Sequence, residues 1–265
     1  MSSRIINWSG RNGNNIIQLI NCVYYSFYKN NLSMIYFPKH ILFNNTQISN
    51  NENKTLNKSR KIYKDKDNYF YAKNLGFSLS PKQMREIAQK YLVNIVKINL
   101  NCPPAENALY IHLRGGDFFT AKLPFICLPW KYYKYIIDNN DYKNIIIAHE
   151  DNSNKCLDKF KELKNVKTQS KSVLEDIEIL CSAKNLALTV STFDIMVFCL
   201  SKNIEEIFIP HTIINDEWYP GMEWGVKKNI IYMKNYTKEK WLTLNANQKN
   251  NLILEYDDKI SDNYQ

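Results

Sequence analysis

Between residues 108 and 210 the chain switches repeatedly between two hydrophobic periods, and few architectures tolerate that. Short runs of apolar, β-favouring residues (108–111, 144–148, 185–190 and 207–209, with Val166 in a shorter one) are separated by segments whose apolar residues recur every three or four positions. Strands that are apolar on both faces must be covered on both faces, and a parallel sheet flanked by helices does this. The expected class is therefore α/β. The intervening segments carry helix punctuation. Pro129 opens a helix over 130–137, residues 152–163 read as helical, Ser172-Val173-Leu174-Glu175 is a capping box that starts a helix through Cys181, and 193–200 is an apolar helix.

The first hundred residues repeat the theme less regularly. Residues 4–8 (RIINW) predict a short strand, followed by a loop holding Gly10 and Gly13, and then Ile16, Ile17, Leu19, Ile20, Val23, Tyr24 and Phe27 at helical spacing. Strand, glycine loop and helix open a Rossmann-like unit, whose helix N-terminus offers N–H groups to an anion or a sugar. A plain strand-to-helix turn fits the same letters. Residues 33–37 predict a second strand ended by Pro38. Residues 44–68 are rich in Asn, Lys and Ser, lack a period and predict an exposed loop. The loop contains Asp65-Lys66-Asp67, a D-x-D string that arises readily by chance in charged sequence, so no metal site is assigned. Ser80-Pro81 starts a helix with an apolar stripe from Met84 to Val96. Pro103 and Pro104 end this half, placing a boundary between an N-terminal unit (1–104) and a C-terminal unit (105–265). The segment beyond Pro210, which holds Trp218, Tyr219, Pro220, Trp224 and Trp241, is expected to pack a strand over 229–233 and terminal helices back on the core.

A chain of 265 residues, 45% apolar, has enough material for one large core or two small ones. Its six cysteines are scattered through apolar runs without metal-ligand spacing, so neither a disulfide scaffold nor a zinc site is expected. The net charge of +9 suits an acidic partner: nucleic acid, an anionic membrane face or a phosphorylated ligand. The lysines form no compact block and no nucleic-acid-reading element is recognisable, so nucleic acid is not expected. The N-terminus lacks the charged and apolar regions of a signal peptide, and no apolar run approaches a bilayer span. A soluble cytoplasmic protein with at most peripheral membrane contact is expected.

The densest chemistry lies in residues 108–120 (ALYIHLRGGDFFT), an apolar strand that delivers His112, Arg114 and Asp117 around the Gly115-Gly116 break. Ligands of open α/β sheets bind at the carboxyl ends of strands. A guanidinium there can grip two phosphate oxygens at once, and glycines let a ligand approach the backbone. The same residues would also serve as a structural Arg–Asp pair closing a strand end.

Three segments, in order, resemble one enzyme family. Residues 9–18 (SGRNGNNIIQ) resemble the G-x-G-N-x-x-x-Q loop of bacterial α-1,2-fucosyltransferases. Residues 112–117 (HLRGGD) resemble the H-x-R-R-G-D motif of α-1,2- and α-1,6-fucosyltransferases, and Leu128-Pro129 with Tyr132-Tyr133 is similar to the L-P-x-x-Y-Y element that follows it. Residues 176–200 resemble the third segment: an Asp-led helix, a strand, S-T-F and an apolar helix. The resemblance implies a GT-B-type enzyme of two Rossmann-like domains with parallel sheets, inverting and metal-independent, with no cofactor beyond the donor, which transfers fucose from GDP-fucose to a glycan acceptor. It implies that Arg114 binds the donor diphosphate, His112 and Asp176 the guanine, and Ser191, Thr192 and Phe193 the phosphates from a helix start. Gly10, Gly13 and Asn14 would face the sugar or acceptor, and Gly116 would line the nucleotide loop. Electrostatic groups of this kind stabilise the departing diphosphate. The acceptor hydroxyl needs a base, for which Asp117 and Glu150 are the candidates. Two departures stand out. Gly115 replaces the motif's second Arg, and no Glu follows the motif. A different nucleotide-sugar donor, or a homologue that binds without turnover, is the alternative.

Overall fold

The computed structural model describes residues 2–50, 62–63, 69–120, 125–213 and 223–262. Within them the chain is mixed α/β, built on two sheets. The smaller has the order β3-β2-β1-β4, from β1 (Ser2–Arg4), β2 (Met34–Tyr36), β3 (Gln47–Ser49) and β4 (Ile62–Tyr63). β1 runs parallel to β2 and β4, and β3 lies antiparallel to β2.

Two expectations are corrected here. The first strand is not residues 4–8 but Ser2–Arg4, with one further ladder bond from the Ile5 N–H to the Tyr36 carbonyl (2.9 Å). Beyond that point backbone groups turn to a side chain instead of a neighbouring strand: Gln18 Nε2 donates to the Asn7 carbonyl and Gln18 Oε1 accepts from the Ser9 N–H. The stretch 44–68 is not all loop, since it supplies β3 and β4. β3 buries only Ile48 between exposed Gln47 and Ser49, too brief an alternation to carry a period. Asp65 and Asp67 lie outside the described residues.

Helix α1 (Asn12–Val23) is buried along its whole length except at Asn12 and Asn14, and it continues into a π-helical turn over Tyr24–Lys29. Such an all-round buried helix belongs between layers, not on a surface. Helix α2 (Pro81–Tyr91) begins at the expected Ser80, whose hydroxyl and Gln83 form a capping box.

The larger sheet contains β5 (Ala108–Leu113), β6 (Asn144–His149), β7 (Val166–Gln169), β8 (Asn185–Ala187), β9 (Glu206–Pro210), β10 (Lys227–Met233) and β11 (Ile260–Ser261). Its order is β11-β10-β9-β8-β5-β6-β7, parallel throughout except for β11. Counting from β5 as the first strand, this is the 3-2-1-4-5-6 arrangement of doubly wound sheets, and the direction of winding reverses between β5 and β8. Six helices beside α7 (Thr192–Leu200) accompany these strands: α3 (Asp117–Thr120), α4 (Trp130–Asp138), α5 (Cys156–Lys161), α6 (Val173–Cys181), α8 (Lys238–Leu242) and α9 (Ala246–Glu255). α5 is shorter than the helix expected over 152–163. The Asp151 carboxylate accepts from the Ser153 N–H and Asn154 Oδ1 from the Cys156 N–H, so side chains hold 151–154 as a turn. Trp224 and Trp241 are buried as expected, whereas Trp218, Tyr219 and Pro220 lie outside the described residues. All six cysteines are free thiols.

The two sheets meet through helices, with α1 and α2 lying against α7. Gln89 on α2 donates to the carbonyls of Cys199, Leu200 and Ser201, and Arg85 donates to those of Ser201 and Ile204. These bonds satisfy carbonyls at the end of α7 that have no helical partner. Among the described residues no helix is long and apolar enough to cross a membrane.

Candidate functional site

β5 is buried at every position from Ala108 to Leu113, so its side chains have little freedom until it ends at the reversal point of the sheet. A cavity of about 880 Å³ opens there, within the range that holds a nucleotide-sized ligand. Its walls come from the two sheets together. The loop before α1 supplies Gly10 and the first turn of α1 supplies Gly13 and Asn14, β5 and the turn after it supply His112, Arg114 and Asp117, and Glu150 follows β6. α6 contributes Asp176 and the start of α7 contributes Ser191, Thr192 and Phe193. Residues from both halves of the chain thus line one space. Gly116 does not line it; it turns the loop behind Arg114 at φ +55°, donating its N–H to Ser153 Oγ (2.6 Å).

Arg114 makes the pair with Asp117 that the motif allowed as a structural reading: Nη2 lies 2.9 Å from Asp117 Oδ1, and Nη1 lies 2.9 Å from Glu150 Oε2. A second guanidinium grips the far oxygens of the same carboxylates, with Arg11 Nη1 2.8 Å from Glu150 Oε1 and Nη2 3.3 Å from Asp117 Oδ2. Two cations and two anions close a ring across the cavity mouth. Arg114 also stacks over Phe118 at 4.7 Å, and its buried Nε has no hydrogen-bond partner among the described residues. Its carbonyl is held by Asn154 Nδ2 at 2.7 Å, so the backbone beneath it is fixed independently of the side chain.

His112 is set from behind. Asp194, fully buried on α7, accepts from its Nδ1 at 2.7 Å and from the Thr189 N–H and hydroxyl with the other oxygen. A carboxylate only accepts, so Nδ1 carries the proton and Nε2 is the basic nitrogen on a ring that lines the cavity. Phe193 covers the ring at 4.5 Å. β8 ends early for the same reason, because the Thr189 N–H is spent on Asp194 instead of the sheet. Tyr132, from the L-P-x-x-Y-Y element, donates to the carbonyls of Leu188 and Phe208 at 3.0 Å each and holds this strand end from below.

On the opposite wall Asp176 Oδ1 accepts from Gln169 Nε2 (2.9 Å) and from the Lys171 N–H (3.4 Å). Ser191 caps α7 by accepting from the Phe193 N–H. The Thr192 hydroxyl donates to Asn14 Oδ1 at 2.6 Å, which links the two sheets' helices directly at the cavity floor. Gly13 lines the cavity and also packs on α7. A Cβ there would overlap the Thr192 carbonyl and lie 2.6 Å from the Phe193 nitrogen, so its missing side chain admits α7. The Gly13→Ala variant is therefore expected to lose about 1–3 kcal/mol through overpacking, read as a lowered thermal midpoint. An unchanged midpoint would mean that α1 and α7 separate freely.

The glycine loop is held by its own polar residues. Asn15 Nδ2 donates to the Ser9 carbonyl (2.9 Å), and His40 Nε2 meets Asn15 Oδ1 at 2.9 Å. Burial, together with the nearby charge of Lys97, lowers the His40 pKa to about 4. The imidazole is therefore neutral near pH 7, which suits its Nδ1 accepting from the Leu42 N–H.

Position 115, where the fucosyltransferase motif has a second Arg, is closed by its surroundings. A Cβ on Gly115 would overlap the Asp151 carboxylate and lie 2.8 Å from Ser153 Oγ. Burial pushes the Asp151 carboxyl up, but hydrogen bonds from the Ser153 hydroxyl, the Ser153 N–H and the Gly116 N–H outweigh it and hold the group below the usual carboxylate range. A side chain at 115 would have to displace that anchored carboxylate.

Two participants carried too little signal in sequence to be assigned a role. Arg11 sat unremarked inside the glycine loop, and Asp194 looked like an ordinary residue of an apolar helix. Only the pairing of β5 with β8 and the packing of α1 on α7 bring them to their partners. No group of three or more His, Cys, Asp or Glu side chains arranged to hold a metal ion occurs among the described residues. Compared with protein-family models, curated proteins and solved structures, the chain gives no match.

Proposed function

We propose that this chain is an inverting glycosyltransferase of the GT-B type, moving a sugar, with fucose from GDP-fucose as the leading candidate, onto a hydroxyl of a glycan acceptor. The observation that carries the reading is the convergence of Arg114, at the end of β5, with Ser191 and Thr192, at the start of α7, on one cavity at the reversal point of a doubly wound sheet. Ligands bind such sheets at that point. A leaving diphosphate needs fixed positive groups and helix N–H donors, and this reading assigns those parts to Arg114 and the start of α7. In this reading residues 1–104 form the acceptor-side domain and residues 105–265 the nucleotide-sugar domain. Asp176 and His112 take the base, and Glu150 or Asp117 takes the acceptor proton.

The proton moves from the acceptor hydroxyl to a carboxylate as the oxygen bonds to the sugar's C1 and the C1–phosphate bond breaks. The electron pair leaves with the diphosphate, towards Arg114. For Glu150 or Asp117 to act, its bond to the guanidinium must loosen, and an incoming diphosphate competing for the same N–H groups supports that exchange. A second reading keeps the fold and the ligand but omits turnover. It is favoured by the fact that both outer nitrogens of Arg114 are already taken by carboxylates.

Incubating the protein with a panel of GDP- and UDP-sugars and a mixed glycan acceptor array separates the possibilities. Transfer from GDP-fucose is the expected result, and transfer from another donor would change the sugar. Saturable nucleotide binding with neither transfer nor donor hydrolysis would favour the second reading, and the absence of any nucleotide binding would remove both.

A further inference from the structure

We infer that Arg11 is the second cation of the diphosphate site, supplied from the N-cap of α1 in place of a guanidinium that position 115 does not carry. The inference rests on the glycosyltransferase reading above and adds to it a residue outside the resembling motif's charged positions. Three observations carry it.

Position 115 carries no side chain, and one placed there would have to displace the Asp151 carboxylate from its bonds to Ser153, so the loop after β5 supplies no second cation at that position. Arg11, before α1, and Arg114, after β5, meet on the same two carboxylates, each guanidinium holding a different oxygen of Glu150 and of Asp117. The two forks are therefore spaced to share a pair of adjacent anionic groups, and a diphosphate is such a pair. Arg11 is also the more exposed partner. Its side chain is 61% exposed against 13% for Arg114, so moving its bonds from the carboxylates to phosphate oxygens requires little repacking.

Two consequences follow. The ligand would bridge the small-sheet side and the large-sheet side, because Arg11 belongs to the first and Arg114 to the second. The exchange would also leave Glu150 and Asp117 without their cations at the moment the donor is bound, when a proton acceptor is needed.

The test is calorimetric titration of the full chain with GDP, with guanosine and with inorganic pyrophosphate, for wild type, Arg11→Ala, Arg11→Lys and the double variant Arg11→Ala/Glu150→Gln. Loss of one charge-assisted contact is expected to weaken GDP and pyrophosphate roughly 10- to 100-fold in Arg11→Ala. Guanosine, which has no phosphate, is expected to bind as to wild type, and Arg11→Lys to recover part of the loss. If wild type binds GDP and Arg11→Ala binds it within twofold, the inference about Arg11 is overturned while the glycosyltransferase reading stands. If the double variant regains wild-type GDP affinity, the loss came from an unpaired Glu150 repelling phosphate, and the inference is again overturned. If wild type binds neither GDP nor UDP, the latter titrated in parallel, the underlying reading fails and takes this one with it.

Discussion

Sugar transfer by the Arg114→Ala variant is expected to fall by roughly 10²–10³-fold or more, the usual cost of deleting a preorganised group that meets charge as it develops in a transition state. The fold is expected to survive. The Arg114 carbonyl remains bonded to Asn154, and β5 is anchored along its length by β6 and β8. Arg11 still neutralises one oxygen of each carboxylate that Arg114 abandons. Arg114→Lys is expected to rescue little, since an ammonium cannot reproduce two parallel N–H bonds. Initial rates measured beside the thermal midpoint make the test decisive. If the midpoint falls while turnover per folded molecule is unchanged, Arg114 is a structural partner of Asp117 and Glu150 and not a diphosphate ligand.

The largest loss of stability is expected from Asp194→Ala. That carboxylate is fully buried and accepts from three donors: His112 Nδ1, the Thr189 N–H and the Thr189 hydroxyl. Removing it strands all three in a dry interior, and breaking a buried hydrogen-bonded charge in this way costs roughly 3–5 kcal/mol, a sizeable part of the ~5–15 kcal/mol that keeps a typical domain folded. Urea denaturation is expected to show a lower midpoint. Asp194→Asn separates stability from chemistry. Its amide matches the shape but puts an NH₂ where an acceptor was, so His112 no longer has its tautomer fixed. Expected is a smaller stability loss together with reduced transfer. Wild-type transfer in a folded Asp194→Asn variant would mean that the cavity-facing nitrogen of His112 plays no part.

The large sheet was legible in the sequence because its central strands, β5, β6, β8 and β9, are parallel and mostly buried. Runs such as Ile145 to Ala148 have no polar alternation to blur, and the intervening helices announce themselves with Ser172-Glu175 and Pro129. The small sheet was not. β1, β3 and β4 are two or three residues long, less than one cycle of a readable pattern, and only long-range pairing makes them strands. The site shows the same division. Arg114, Asp117 and His112 share one stretch, and their clustering marks them. The packing of Gly13 on α7 was not legible, because a glycine required by a neighbouring helix is indistinguishable in sequence from one required by a ligand. Asp194 and Arg11 needed three-dimensional neighbours to acquire meaning. Glu150 fell in between: its place after a strand was visible, its hold on two arginines was not.

The strand order also governs how the molecule emerges from the ribosome. β5 gains β6 soon after it is made, but its other edge waits until residue 185 appears, because β8 closes that side. Helix α1, buried along almost its whole length, waits longer still for α7 at residues 192–200. A nascent or stalled product ending before residue 185 would thus expose an unpaired apolar edge and an uncovered helix together, the kind of surface that invites mispairing and chaperone capture.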